Sequence, residues 1–328
     1  MTMKPIHNQA LLSALKSANS ILMCTHILPD GDAIGSLLAC GRIMAGLGKQ
    51  VTLVSHDGVP EKYGFLPGAS QIIRPEALGE ERFDLALALD ISEESRMGDC
   101  VKAYRAAGVR GQLDHHATNP DYAELNEVDG DASSTGCMVW RLMRALDVTP
   151  DQKTAACIYT AISTDTGNFS FSNTDEETFA CAAAMARTGF DLNRVSRAVH
   201  LVRAVPHVRL LGRALSTLTF FADGACACMK LTRQDYADCG ALPEHSDGIV
   251  NYALNLPGVC MAYLADTGTP GFTKVSFRAV APYHVSDVAA LLGGGGHVLA
   301  AGCRTEMASD RAEQIIRQSM TQQIGERQ

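Results

Sequence analysis

Aromatic side chains are scarce in this chain, basic ones are outnumbered, and no apolar run is long. One tryptophan, 8 tyrosines and 10 phenylalanines supply only 6% of 328 residues, so a core must come from small aliphatics, which the 46% hydrophobic content provides. Nothing approaches the roughly eighteen apolar residues of a membrane span. The opening MTMKPIHNQALLSALKSANS is spaced like an amphipathic helix rather than a signal peptide. A cytoplasmic protein with no membrane partner is expected. Lys and Arg total 28 against 36 Asp and Glu, a net charge of −8. Tracking long duplex DNA needs phosphate neutralisation along a continuous basic surface, which this balance argues against, while a local basic pocket stays open. No CxxC pair occurs, and the 11 cysteines sit mostly in apolar runs such as ILMCT and GCMVW. Buried free thiols in a reducing compartment are expected, not a disulfide framework. Cys226 and Cys228 alternate within ACACMKL as a strand would, which leaves them no metal role.

At about 150 residues per domain the length suggests two domains. In the first half, strand candidates at 21–25, 51–55, 83–90 and 109–113 alternate with helix candidates at 34–47, 135–146, 151–162 and 176–187. This is the pattern of an α/β domain with a parallel sheet and helices on both faces. Residues 191–205 read as a helical connector. From 206 onward, alternating runs such as VCMAYLAD and TKVSFRAV indicate a smaller α+β domain that continues to residue 328.

Acidic and imidazole side chains recur directly after the strand candidates, and in an open parallel sheet such ends converge on one crevice. THILPDGDAIGS carries His26, Asp30 and Asp32 on a sharp loop before a helix; the set suits a metal, or Asp32 is an ordinary helix cap and His26 a surface residue. FDLALALD ends in Asp90, a carboxylate costly to bury without a cation or donors. GQLDHHATN brings Asp114, His115 and His116 together, either as ligands with an acid or as a polar loop. Asp165 follows an apolar helix candidate and by itself suits a cap. Taken together, the segments suit two divalent ions in mixed nitrogen and oxygen coordination. Without thiolate ligands, Mn²⁺ is preferred, with Mg²⁺ or Co²⁺ as alternatives. The expected reaction is metal-assisted phosphoester hydrolysis.

THILPDGDAIGS, ALALD, LDHHATN and STDTGNF resemble, in order, the four motifs of the DHH phosphoesterases, and GGGGHVLAAG resembles the glycine-rich motif of their DHH-associated domain. The resemblance covers nearly the whole chain. It implies a DHH domain over 1–190 and a DHH-associated substrate domain over 206–328. It further implies that His26, Asp30 and Asp90 hold one Mn²⁺, that Asp32, Asp90, His115 and Asp165 hold the other, and that Asp90 bridges them. His116 would face the scissile phosphate as general acid or charge stabiliser, with Asp114 orienting a histidine. ASSTG, residues 132–136, reads as a structural turn and helix start near the site.

In the second domain, period-two alternation in KVSFRAV places Ser276 and Arg278 on the face opposite Val275 and Phe277, where the guanidinium can grip a terminal phosphate or carboxylate. Four glycines, Gly293–Gly296, precede His297; by itself the run suits a hinge, but the resemblance makes Gly294, Gly295, Gly296 and His297 a phosphate-approaching loop. Relatives often carry Ser after the arginine, where this chain has Ala279. Within the family the chain resembles the branch that acts on very short RNAs and 3′-phosphoadenosine 5′-phosphate, so these are the expected substrates. Cyclic or linear dinucleotides come next, then pyrophosphate or polyphosphate. The non-enzymatic alternative is a nucleotide-binding sensor, whose mark would be a lost ligand, and no motif position is substituted. A homodimer is compatible with the sequence.

Overall fold

In this computed structural model, residues 4–79 and 81–326 are described, and the chain divides into two units, one running to Val202 and the other starting at Arg203. The N-terminal unit runs α1 (Gln9–Ser17), β1 (Ser20–Cys24), α2 (Gly31–Gly46), β2 (Gln50–Val54), β3 (Ile72–Ile73), β4 (Leu85–Leu89), α3 (Cys100–Ala106), β5 (Val109–Asp114) and β6 (Leu125–Val128). It closes with α4 (Thr135–Ala145), α5 (Gln152–Asp165), α6 (Glu176–Ala186) and α7 (Leu192–Ser196).

All six strands are parallel, in the order β3-β2-β1-β4-β5-β6. Alternation along β4 explains the layering. Leu85, Leu87 and Leu89 join Ile21 and Met23 in the core shared with α1, α2, α4 and α5, whereas Ala86 and Ala88 face the opposite core with Leu22, Cys24 and Tyr104 of α3. Both faces of the sheet are therefore covered, as a buried parallel sheet requires. The strand order reverses between β1 and β4, so a crevice opens beyond their carboxyl ends, next to β5.

The second unit contains α8 (Val205–Ser216), β7 (Thr219–Phe221), β8 (Cys226–Thr232), α9 (Arg233–Cys239), α10 (Val250–Leu254), β9 (Met261–Thr267), β10 (Thr273–Ala279), α11 (Ser286–Ala290), β11 (Gly295–His297), β12 (Ala300–Thr305) and α12 (Ser309–Gly325). Its sheet is mixed, in the order β11-β12-β10-β9-β8-β7, with only β8 and β9 parallel. Part of the glycine run expected as a loop is thus an edge strand. Gly296 has a φ of 140°, and a Cβ there would lie 2.7 Å from the Ala300 carbonyl oxygen, so only glycine suits this pairing. No disulfide forms: all 11 cysteines are free, and Cys260 alone is not fully buried. Among the described residues no helix is long and apolar enough to cross a membrane.

Candidate metal centre

Three strand ends and three helices build one acidic pocket. After β1, Thr25 Oγ1 donates to the Leu89 carbonyl at 2.9 Å, tying the β1 and β4 ends together. His26 follows, only 6% exposed, with Nε2 3.6 Å from Asp90 Oδ2 and 4.0 Å from Asp30 Oδ1. The chain then turns into α2, and Asp30 caps it by accepting from the Ala33 N–H at 3.0 Å. The cap is therefore Asp30, not Asp32. This frees Asp32, in the first turn and 1% exposed, to face across the pocket toward α4.

Asp90 occupies the residue after β4 with φ +61°, a left-handed backbone that non-glycine residues enter at a cost. Its two oxygens face opposite histidines: Oδ2 lies 3.6 Å from His26 Nε2, and Oδ1 lies 3.6 Å from His115 Nε2. His115 Nε2 is also 3.8 Å from Asp32 and 3.4 Å from Asp165, the last residue of α5 and so not an N-terminal cap. Three overlapping groups offer ligand atoms all within 4.8 Å of one another: His26 with Asp30 and Asp90, Asp32 with His115 and Asp165, and Asp90 with His115 and His116. Asp114, fully buried, instead holds the His116 ring through Oδ1 and Nδ1 at 2.8 Å.

Further side chains that carry this pocket were not singled out as functional in the sequence. The N-terminus of α4 acts as a carboxylate clamp: the Thr135 and Gly136 N–H groups donate to Asp32 at 2.7 and 2.8 Å, and Thr135 Oγ1 donates to Asp90 at 3.1 Å. Ser36 Oγ gives Asp32 another donor at 2.9 Å. Behind His116, Asn119 Nδ2 donates to Asp114 at 2.6 Å, while Gln112 Nε2 donates to Asn119 Oδ1 and Asn126 Oδ1 at 3.0 and 2.7 Å. The motif spelled out Asn119, but nothing local marked Gln112 or Asn126.

The electrostatics describe a site short of positive charge. Burial, then the charges of Asp90, Asp165 and Asp30, push Asp32 well above the usual carboxylate range against the Gly136 N–H. Burial likewise pushes Asp165 up to about 7, opposed by His115 and reinforced by Asp90. For Asp90 burial acts upward too, but the His26 hydrogen bond and the charges of His115, His26 and His116 hold it below the usual range. Burial disfavours charge on His116, yet its Asp114 contact prevails and raises it to about 9. Divalent cations displace the protons that buried carboxylates keep for want of a counter-ion. The oxygen-rich set with imidazoles and no thiolate fits Mn²⁺, Mg²⁺ or Co²⁺.

In the second unit the strand register gathers the expected substrate residues into rows. Arg278 pairs with Ala300 and Ala300 with His297, while Ser276 pairs with Gly302 and Gly302 with Gly295. Directly paired residues share a face, so Arg278, His297 and Ser276 stand on one side of the sheet. Gly294 lies just outside β11 and packs so tightly that a Cβ would fall 2.3 Å from the Gly302 oxygen. Burial lowers the Arg278 guanidinium from its ordinary value, and its Nη1 donates to the Phe277 carbonyl at 2.8 Å. A hollow of about 770 Å³ at the far end of α2, lined by Arg42, Leu47, Val148 and Thr149, contains none of the expected site residues.

The chain carries a doubly wound sheet with aspartates and histidines gathered at its switch point, and it belongs to the DHH family, whose N-terminal domain model matches residues 20–162. Among its relatives is the bifunctional oligoribonuclease and PAP phosphatase NrnA of Thermus thermophilus, 33% identical over 92% of this chain and 90% of that protein. The fold is shared with an exopolyphosphatase-related protein from Bacteroides fragilis, with a TM-score of 0.90, 24% identity and 96% of each chain covered. It is shared more distantly with an exonuclease RecJ crystallised bound to manganese, with a TM-score of 0.55, 14% identity, and 97% of this chain and 96% of that one covered.

Proposed function

We propose that this protein is a divalent-metal-dependent phosphoester hydrolase acting on very short oligoribonucleotides and on 3′-phosphoadenosine 5′-phosphate. The observation that carries the reading is Asp90, whose two oxygens face His26 and His115 from between two flanking ligand groups. His26, Asp30 and Asp90 would hold one ion, and Asp32, Asp90, His115 and Asp165 the other, with Mn²⁺ preferred. When bound, the ions polarise the phosphoryl oxygens and lower the pKa of the attacking water. The substrate class is supported by the name of the Thermus thermophilus relative.

The remaining work falls to the chain's own groups. His116 is fixed by Asp114 through Nδ1, so Nε2 is the atom that hands a proton to the leaving oxygen, with the Asp114 carboxylate supporting the charged ring. The Asp114, Asn119 and Gln112 chain prevents the ring from turning. In the second unit, read as the DHH-associated domain, Arg278, Ser276 and the Gly294–His297 segment bind the substrate's other phosphate. One panel tests the reading: turnover of pApA, 3′-phosphoadenosine 5′-phosphate, cyclic di-AMP and pyrophosphate by Mn²⁺-loaded protein. Hydrolysis of the first two well ahead of the others is expected. Binding of pApA without cleavage would instead identify a sensor.

A further inference from the structure

One cation stands against the metal centre without a role in the reading above. Arg96 lies in the turn after β4, in the short helical segment Glu94–Met97. Its backbone is fastened to the metal loop, since its carbonyl accepts the Ile27 N–H at 2.8 Å and its own N–H donates to Glu93 at 3.0 Å. The side chain, half-buried, brings Nη2 to 3.4 Å from His26 Nδ1. Among the described residues it forms no ion pair with a carboxylate, although Glu94, two residues away, pairs with Arg105.

The proton on His26 decides what this contact is. His26 Nδ1 lies 2.7 Å from the Ile27 carbonyl oxygen, which can only accept, so Nδ1 carries the hydrogen and Nε2 presents its lone pair toward Asp90 and Asp30. The Arg96 guanidinium, itself a donor only, thus meets another donor, and the 3.4 Å approach is not a hydrogen bond. A guanidinium with a fastened backbone and, among the described residues, no acceptor is equipped to take a phosphate arriving at the neighbouring carboxylate and imidazole cluster.

We infer that Arg96 is a phosphate-binding residue of the N-terminal unit, gripping a non-bridging phosphoryl oxygen of the substrate on the His26 side of the metal centre. The inference rests on the phosphoester-hydrolase reading and adds a second arginine to the one expected at Arg278. An arginine suits the task because its planar fork meets two phosphate oxygens at once and its charge persists at any working pH.

The test uses full-length Mn²⁺-loaded protein with Arg96→Gln and Arg96→Lys, reading metal content per chain, inorganic phosphate affinity by calorimetry, and pApA turnover. Arg96→Gln should keep its metal, bind phosphate about tenfold or more weakly and raise KM with kcat changed little, and Arg96→Lys should recover part of the loss. Unchanged phosphate affinity in Arg96→Gln would overturn the inference. So would loss of metal, which would make Arg96 a positioning residue for His26. Should the wild type leave pApA intact while phosphate binding still depends on Arg96, the functional reading fails and this inference stands.

Discussion

Thr135→Val offers a fine probe of the pocket, because it changes one donor and almost no volume. Thr135 is fully buried at the first residue of α4; its hydroxyl donates to Asp90 Oδ1 at 3.1 Å, and its N–H donates to Asp32 at 2.7 Å. Valine keeps the β-branch and the N–H, so the Asp32 clamp and the helix start survive. What disappears is the bond orienting the oxygen that faces His115. A hydrogen bond to an ionised group contributes about 1.5–3 kcal/mol. At about 1.4 kcal/mol per decade this predicts Mn²⁺ binding weaker by about tenfold to a hundredfold. Calorimetric titration of the metal-free protein measures the loss, with far-ultraviolet circular dichroism verifying the fold. An Mn²⁺ affinity within twofold of wild type, in a protein that melts normally, would refute the idea that Thr135 orients Asp90.

Asp90→Asn keeps the shape but removes the charge between the two histidines; it should lower metal content and reduce pApA hydrolysis by at least about a hundredfold, and near-normal turnover would exclude the bridging role. Arg278→Ala should raise KM by about tenfold or more at unchanged kcat, and a fall in kcat alone would count against it as a substrate anchor. Metal-free protein should lose stability as pH rises. Asp165, raised from 3.8 to about 7, and His116, raised from 6.5 to about 9, bind protons more tightly folded than unfolded. Their contributions are complete below about pH 4 and about pH 6.5 respectively, and each is lost as pH passes through the folded value, at up to about 1.4 kcal/mol per pH unit per group. Bound Mn²⁺ would take the place of the Asp165 proton and should flatten the decline. A melting temperature of chelator-treated protein that stays level or climbs from pH 5 to 8 would contradict this account.

The acidic pocket was legible because each of its segments announces itself locally. LALAL followed by Asp90 can only be a buried strand delivering a carboxylate to a sheet edge, and β4 has that form, with every residue buried. PDGDAIG had to turn before the helix, although the helix begins at Gly31, three residues ahead of the apolar periodicity, because Asp30 caps it. The short strand Ile72–Ile73 went unseen for the opposite reason: two residues at the sheet edge leave no period to detect. The glycine run misled about conformation, since a φ of 140° at Gly296 reads equally as hinge or strand until Ala300–Thr305 pairs with it.

What the sequence hid is the set of groups whose partners are distant along the chain. Ser134, Thr135 and Gly136 look like any helix start, and Ser134 indeed caps α4 through the Cys137 N–H at 3.1 Å. Yet the N–H groups of the two residues that follow are spent on Asp32, more than a hundred positions earlier. A helix N-terminus presents donors to whatever carboxylate the tertiary fold delivers, so local pattern reveals the cap and conceals the clamp. Gln112 is the same case on a strand: a fully buried amide in the buried half of β5 would be costly alone. Its bonds to Asn119 and Asn126 turn that cost into rigidity behind Asp114. The candidate ligands are spelled by motifs, whereas the residues that hold them still are chosen by the fold, and mutations there should act on metal affinity and ring orientation before they act on stability.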